Sequence, residues 1–308
     1  MRTIRLWRTS SVRTWGAAIV GVSVVALLCA SPARALTLIS SCPTTISAPG
    51  DYQVAGDLSC AGDGITITSS DVHLNMAQHV LTGNGTGTGL RVIGVDGDVD
   101  VGNGTLTGFA TGMRIQGSRG VSLTAVTATG NGTGMVLYQA NSNEITDTLV
   151  TGNTGDGIQA SYSNHNIITA SVGNDNGGVG LSGQHFENNV LTGNGFHANS
   201  GDGVRLEAGS NGNLFKANDV ADNGGHGLIL VIANGNTLKA NIVRGNGATG
   251  IRVQAGATQN LLQGNTAQQN STLDVADLNP HPCTDNTWKS NNFTTDSEGN
   301  GSQAGCIR

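Results

Sequence analysis

A glycine followed by an aliphatic residue recurs nine times along this chain, at Gly64-Ile65, Gly89-Leu90, Gly112-Met113, Gly134-Met135, Gly157-Ile158, Gly180-Leu181, Gly203-Val204, Gly227-Leu228 and Gly250-Ile251, with gaps of 22 to 25 residues. A period this regular reports one supersecondary unit stacked on copies of itself. After each step apolar and polar residues alternate, as in Met113-Arg114-Ile115-Gln116 and Val204-Arg205-Leu206-Glu207, which is the period of a half-buried strand. A second column runs through Asn143, Asn166, Asn189, Asn213, Asn236, Asn260 and Asn286, each with a large apolar residue two places on. A third runs through Asn153, Asn176, Asn199, Asn223, Asn246 and Asn270, with further apolar positions such as Val150, Phe196 and Val220 ahead of it. Three short strands per coil, joined by Gly/Asn turns, account for the period. Both residues tolerate left-handed backbone, which is the expected reason for much of a glycine count of 47. Stacked asparagines are expected to form amide ladders from coil to coil.

Helices cannot produce an apolar spacing of two, and glycine and asparagine are poor helix formers. A propeller blade needs about 40 residues, and a calcium-binding β-roll repeats every nine or so. The expected fold is therefore all-β, a parallel β-helix of about 22–25 residues per coil rising roughly 4.8 Å per coil. The glycine steps from Gly157 to Gly250, with the asparagine pairs Asn189/Asn194, Asn213/Asn218, Asn236/Asn241 and Asn260/Asn265, carry a resemblance. The chain resembles the right-handed parallel β-helix repeat family, the NosD-like and pectate-lyase-like proteins, over about residues 40–295. Right-handedness is what the resemblance implies. It implies little about activity, because the motifs are structural and the fold hosts lyases, hydrolases, epimerases and adhesins.

Residues 1–35 read as a signal peptide: Arg2, Arg5, Arg8 and Arg13 precede an apolar run from Gly16 to Cys29, and Ala33-Arg34-Ala35 offers a cleavage site. Leu28 stands where a lipoprotein site wants a small residue. Five of the 15 basic residues and none of the 21 acidic ones lie in that leader, so the mature balance is 10 minus 21, or −11. That excludes a nucleic-acid partner, and no later stretch is apolar enough to span a bilayer. A secreted or periplasmic monomer is expected. Cys42 and Cys60 near the start, and Cys283 and Cys306 near the end, suggest one local disulfide at each terminus, although four cysteines allow three connectivities. Residues 36–62 are expected to cap the helix, 63–293 to form it and 294–308 to close the far end.

The residue before each anchor glycine offers chemistry: Asp63, Asp156, Asp202 and His226 occupy that column. In polygalacturonases, which share the resemblance, carboxylates and the histidine of Gly-His-Gly stand before such a glycine. Gly225-His226-Gly227 matches that motif, and Asp202 lies one coil earlier. The resemblance thus implies Asp202, His226 and Asp156 as candidate catalytic residues, but Val179 interrupts the column and no Asp pair is present. Short polar residues that cap a turn explain the same column. A second candidate is an outward aromatic patch of Tyr138, Tyr162 and His185-Phe186 on three consecutive coils, with His165, Gln184 and the outward Arg205. Rings and amides suit a carbohydrate ligand.

Asp96, Asp98 and Asp100 share one strand face and suggest calcium, but an EF-hand loop would need glycine at Val101 and glutamate at Thr107. No cofactor is expected; calcium stays open as an alternative that no specific motif supports. The histidines His165, His185, His197 and His226 form no single column for copper. The favoured function is binding or presenting at the cell exterior with a polysaccharide ligand. The alternatives are a polysaccharide-active lyase, hydrolase or epimerase, and a structural surface protein without a small ligand.

Overall fold

The computed structural model describes residues 34–298 and 307–308. The expected leader lies, to residue 33, outside the described residues. Residues 34–298 form a right-handed parallel β-helix. The strand after each glycine step, such as Leu181–Gln184 or Val204–Leu206, belongs to an 11-stranded sheet in which each strand pairs with its counterpart one coil away. The other two strands of each coil, such as Val190–Thr192 and Gly195–His197, belong to a 20-stranded sheet. In the early coils those two strands merge into the continuous strands Asp96–Thr107 and Arg119–Thr129. One helical turn, Pro282–Asp285, interrupts the pattern near the end.

Alternation sets the core. Residues at the first and third places after each glycine point inward, so Met113, Ile115, Met135, Leu137, Val204 and Leu206 are buried. Like residues stack in register, for example Leu191 on Phe215 on Leu238. At about 25 cal/mol per Å² of apolar area, this continuous column is the main favourable contribution to folding.

Three ladders of buried asparagine run beside the core. In each rung, one Oδ1 accepts both the backbone N–H and the Nδ2–H of the asparagine one coil earlier, as Asn213 does from Asn189 at 2.9 and 3.0 Å. The spare Nδ2–H donates to a backbone carbonyl, as from Asn213 to Phe186 at 2.7 Å. Besides the two expected ladders, the partners Asn194, Asn218, Asn241 and Asn265 form a third.

The glycine anchors answer to a demand other than turn conformation. None has a left-handed backbone; that conformation belongs to other glycines and to residues such as Ala77, Asp175 and Gln259. The anchors are glycine because there is no room for a Cβ. At Gly180 it would lie 2.5 Å from the carbonyl oxygen of Gly203 and 2.7 Å from Asn199 Nδ2. One coil past Gly250 the column continues in Asp274, which precedes the last strand of the sheet, Val275–Asp277.

Residues 36–62 contain the strands Leu36–Ile39, Thr44–Ile46, Gly50–Val54 and Leu58–Ser59, which pair in parallel with the coils that follow. Cys42 and Cys60 are joined by a disulfide that closes this coil. Cys306, the expected partner of Cys283, lies outside the described residues.

Candidate functional site

The outward side chains of the 11-stranded sheet form columns parallel to the helix axis. The column before the anchors holds Asp63, Asp156, Asp202 and His226. Each accepts the backbone N–H of the residue one coil later: Asp63 from Thr88 at 2.7 Å, Asp156 from Val179 at 2.8 Å, Asp202 from His226 at 2.6 Å and His226 Nδ1 from Thr249 at 3.0 Å. The second oxygen of Asp202 pairs with Arg205 at 3.2 Å, and that of Asp156 accepts from Gln159 at 3.0 Å. Arg205 also binds Glu207 at 2.8 Å; this bond, and more weakly the one to Asp202, raise its pKa against the burial that lowers it.

Because Thr249 N–H points at Nδ1, neutral His226 carries its proton on Nε2, so its outward nitrogen is a donor. Burial is the largest influence on this half-buried imidazole and lowers its pKa; Arg252 and Arg205 push the same way and Asp202 partly opposes them. A histidine whose folded pKa is depressed is protonated first in the unfolded chain. Its contribution to stability is therefore complete above the ordinary value of 6.5 and lost as pH falls below it. The melting temperature of wild type should drop more between pH 7.5 and 5 than that of His226→Asn, which keeps an acceptor for Thr249 without titrating. Parallel profiles for the two proteins would contradict this assignment.

The aromatic column assembles at the far end of the same strands. Tyr162 and His185 are stacked, with centroids 4.7 Å apart and planes at 11°. Tyr138 meets Tyr162 edge-on at 6.5 Å, and the Arg114 guanidinium lies 6.0 Å from the Tyr138 centroid. His185 rests against Gly209, where a Cβ would lie 2.2 Å from Nδ1. The faces of Tyr162 and His185 are thus turned on each other, and the column offers ring edges and phenol hydroxyls outward. Neither hydroxyl is hydrogen-bonded among the described residues. Tyr162 and His185 hold left-handed backbone, φ 52° and 48°, at the turn where Gly94, Gly117 and Gln139 (φ 53°) stand on earlier coils.

Phe186 departs from the outward reading: it is fully buried. The left-handed residue His185 reverses the alternation and turns the next side chain inward. Gln184 and His165 are exposed beside the rings.

Residues 39–224, more than half of the chain, match the family described as Periplasmic copper-binding protein (NosD), and residues 191–306 match the right handed beta helix region. The chain belongs to the NosD family. No curated protein sequence matches it. Among solved structures, this NosD-family chain is similar to the Azotobacter vinelandii mannuronan C-5 epimerase AlgE6 A-module, at 18% identity and TM-score 0.67 over 86% of both chains. It is also similar to the periplasmic alginate epimerase AlgG, at 13% identity and TM-score 0.60 over 82% of this chain and 76% of that one. A third is the Dettilon tailspike protein, at 15% identity and TM-score 0.62, covering 88% of this chain and 60% of the tailspike. At these identities the likeness is one of fold.

The family description invites a test for copper, whose protein donors are imidazole, thiolate and thioether. Among the described residues no three His, Cys, Asp or Glu side chains converge. Met76, Met113 and Met135 are buried in the core. His226 Nδ1 is engaged by Thr249, His185 is stacked on Tyr162, and His197 Nε2 lies 3.5 Å from Asp219, which also pairs with Arg244. The described donor set of this NosD-family chain does not fit a copper ion.

Proposed function

We propose that this chain is an exported polysaccharide-binding β-helix whose ligand runs along the ring column. The observation that carries this reading is the assembly of Tyr138, Tyr162 and His185, from three coils, into one pile bordered by Arg114, with Tyr162 exposed and the other two rings half-buried. A side chain in left-handed backbone costs about 1–2 kcal/mol relative to glycine. Tyr162 and His185 incur that cost, as Gln139 does at the same turn one coil earlier. Phenol hydroxyls, Gln184 and the His185 imidazole would bind sugar hydroxyls. Family membership and the Cys42–Cys60 disulfide support export.

The competing reading is a polysaccharide-active enzyme using Asp202, His226 and Asp156. It draws support from the shared fold of the epimerases. Against it stand the hydrogen bonds just described, which commit both Asp202 oxygens, both Asp156 oxygens and His226 Nδ1 to holding the turns. Each oxygen of both carboxylates thus already has a partner within the protein, and neutral His226 presents a donor.

Tyr162→Gly is the cleanest test, since it removes the ring and relieves the backbone. Its melting temperature should match or exceed wild type, while glycan affinity measured by calorimetry on array hits falls about tenfold or more, as for an interface aromatic. Unchanged affinity in both Tyr162→Gly and Tyr138→Ala would defeat the proposal.

A further inference from the structure

One outward column of the 11-stranded sheet, followed coil by coil in register, reads Thr45, Thr66, Arg91, Arg114, Val136, Gln159, Ser182, Arg205, Ile229, Arg252, Ala276. It holds four arginines and no carboxylate, in a chain with 21 acidic residues. Arg91 and Arg114 are directly paired on adjacent strands, about 4.8 Å apart by strand spacing. Like charges in that position destabilise a sheet unless something neutralises them.

The protein supplies little neutralisation there. Among the described residues the only ion pair of these two is Arg91 with Asp63, at 3.7 Å, and that same Asp63 oxygen already accepts Thr88 N–H at 2.7 Å. Arg114 Nε donates to the neutral Gln116 at 3.0 Å, and its charge faces Tyr138. Arg91 Nε is buried without a hydrogen-bond partner, and so is Arg252 Nε farther along the column. Arg205, by contrast, is neutralised by Asp202 and Glu207. Among the described residues, an Arg114 guanidinium without an ion pair, an Arg91 guanidinium held only by the 3.7 Å approach of Asp63 and a 3.3 Å bond to Thr88 Oγ1, and an orphaned donor thus adjoin the ring column on its Tyr138 side.

We infer that the glycan carries oxyanion substituents, and that Arg91 and Arg114 form the subsite that takes one of them while the neighbouring sugars lie along Tyr138 and Tyr162. Arg252 takes a second substituent farther along the chain. The inference rests on the polysaccharide reading above and names its ligand class. Paired guanidiniums bind carboxylate or sulfate in the forked geometry that lysine cannot offer.

The test measures binding of oligogalacturonate, its fully methyl-esterified counterpart and dextran sulfate. The ester keeps the sugars and removes the charge; the sulfate separates one oxyanion source from the other. Proteins are wild type, Arg91→Gln/Arg114→Gln, and Lys216→Gln/Lys239→Gln. The last removes the same charge from a register-paired lysine couple on the 20-stranded sheet. Wild type should bind at least one acidic polymer about tenfold or more tighter than the ester, as expected for charge-assisted hydrogen bonds. That preference should vanish in the arginine double variant and with added salt, and survive in the lysine variant. Equal losses in both double variants, or equal binding of acid and ester, would overturn the subsite while leaving the polysaccharide reading intact. Failure to bind any glycan on a broad array overturns both.

Discussion

Asn213→Asp is expected to destabilise the protein by about 3–5 kcal/mol, the range for a buried charge left without a partner. The substitution is nearly isosteric, so packing contributes little. Asn213 Oδ1 accepts two N–H groups from Asn189, and an aspartate oxygen can still do so. Its Nδ2, however, donates to Phe186 O at 2.7 Å and to Asn236 Oδ1 at 2.9 Å. A carboxylate would set a second oxygen against those two acceptors, with no water to intervene. Protonating the new acid removes the charge and restores one donor, so the deficit should shrink as pH falls.

Aspartate is the native choice where two of the three ladders end. Asp274 accepts Asn270 on one oxygen and the N–H groups of Thr294 and Thr295, at 2.9 and 3.1 Å, on the other. Asp277 likewise receives Asn286 Nδ2 at 3.0 Å and Trp288 Nε1 at 2.9 Å. There every incoming partner is a donor, and Asp274→Asn should therefore destabilise for the opposite reason. Denaturant midpoints at pH 7 and pH 4 check both variants. An Asn213→Asp protein within about 1 kcal/mol of wild type would contradict this account, since one unsatisfied buried group alone costs about that much.

Two of the three ladders were legible in the sequence because each rung repeats the same residue at a fixed interval, and a repeated chemical demand writes a repeated letter. Their terminators were not, because Asp274 and Asp277 each occur once and answer to partners set by the fold. The inward turn of Phe186 was hidden for a related reason. Counting by twos assumes extended backbone, and the left-handed φ of His185 breaks the count without any glycine to announce it. The rings of Tyr138, Tyr162 and His185 could be placed together from the period alone, but their mutual stacking depends on side-chain geometry. Asp202 and His226 were correctly placed on adjacent coils, yet their hydrogen bonds to backbone N–H groups leave no trace in residue type. Arg91 escaped notice because Val136, Gln159 and Ser182 dilute the column, which becomes visible only when register is known.

Gly203→Ala should cost about 3 kcal/mol, the upper part of the usual range for overpacking, whereas Gly193→Ala should cost about 1 kcal/mol. A Cβ on Gly203 would lie 2.4 Å from Val220 Cγ1, 2.7 Å from Asn223 Nδ2 and 2.9 Å from Gly227 O. Two of these atoms belong to the core and to a ladder, and the third is backbone, so none can withdraw without disturbing the next coil. Gly193 has φ +66° and no atom within 4 Å of the added carbon, so its demand is conformational alone. Asparagine separates the two demands, since it tolerates left-handed backbone better than alanine but is larger. Gly193→Asn should recover most of the alanine deficit, and Gly203→Asn should be worse than Gly203→Ala. Melting temperatures in the reverse order would mean that the regular glycines serve turn conformation after all. The expected order makes them spacers that let one coil's carbonyls approach the next, and it explains why the column admits Asp274 one coil past Gly250. Among the described residues no further strand of the 11-stranded sheet follows there, and the backbone of Thr294 and Thr295 that lies over Asp274 donates its N–H groups to that side chain.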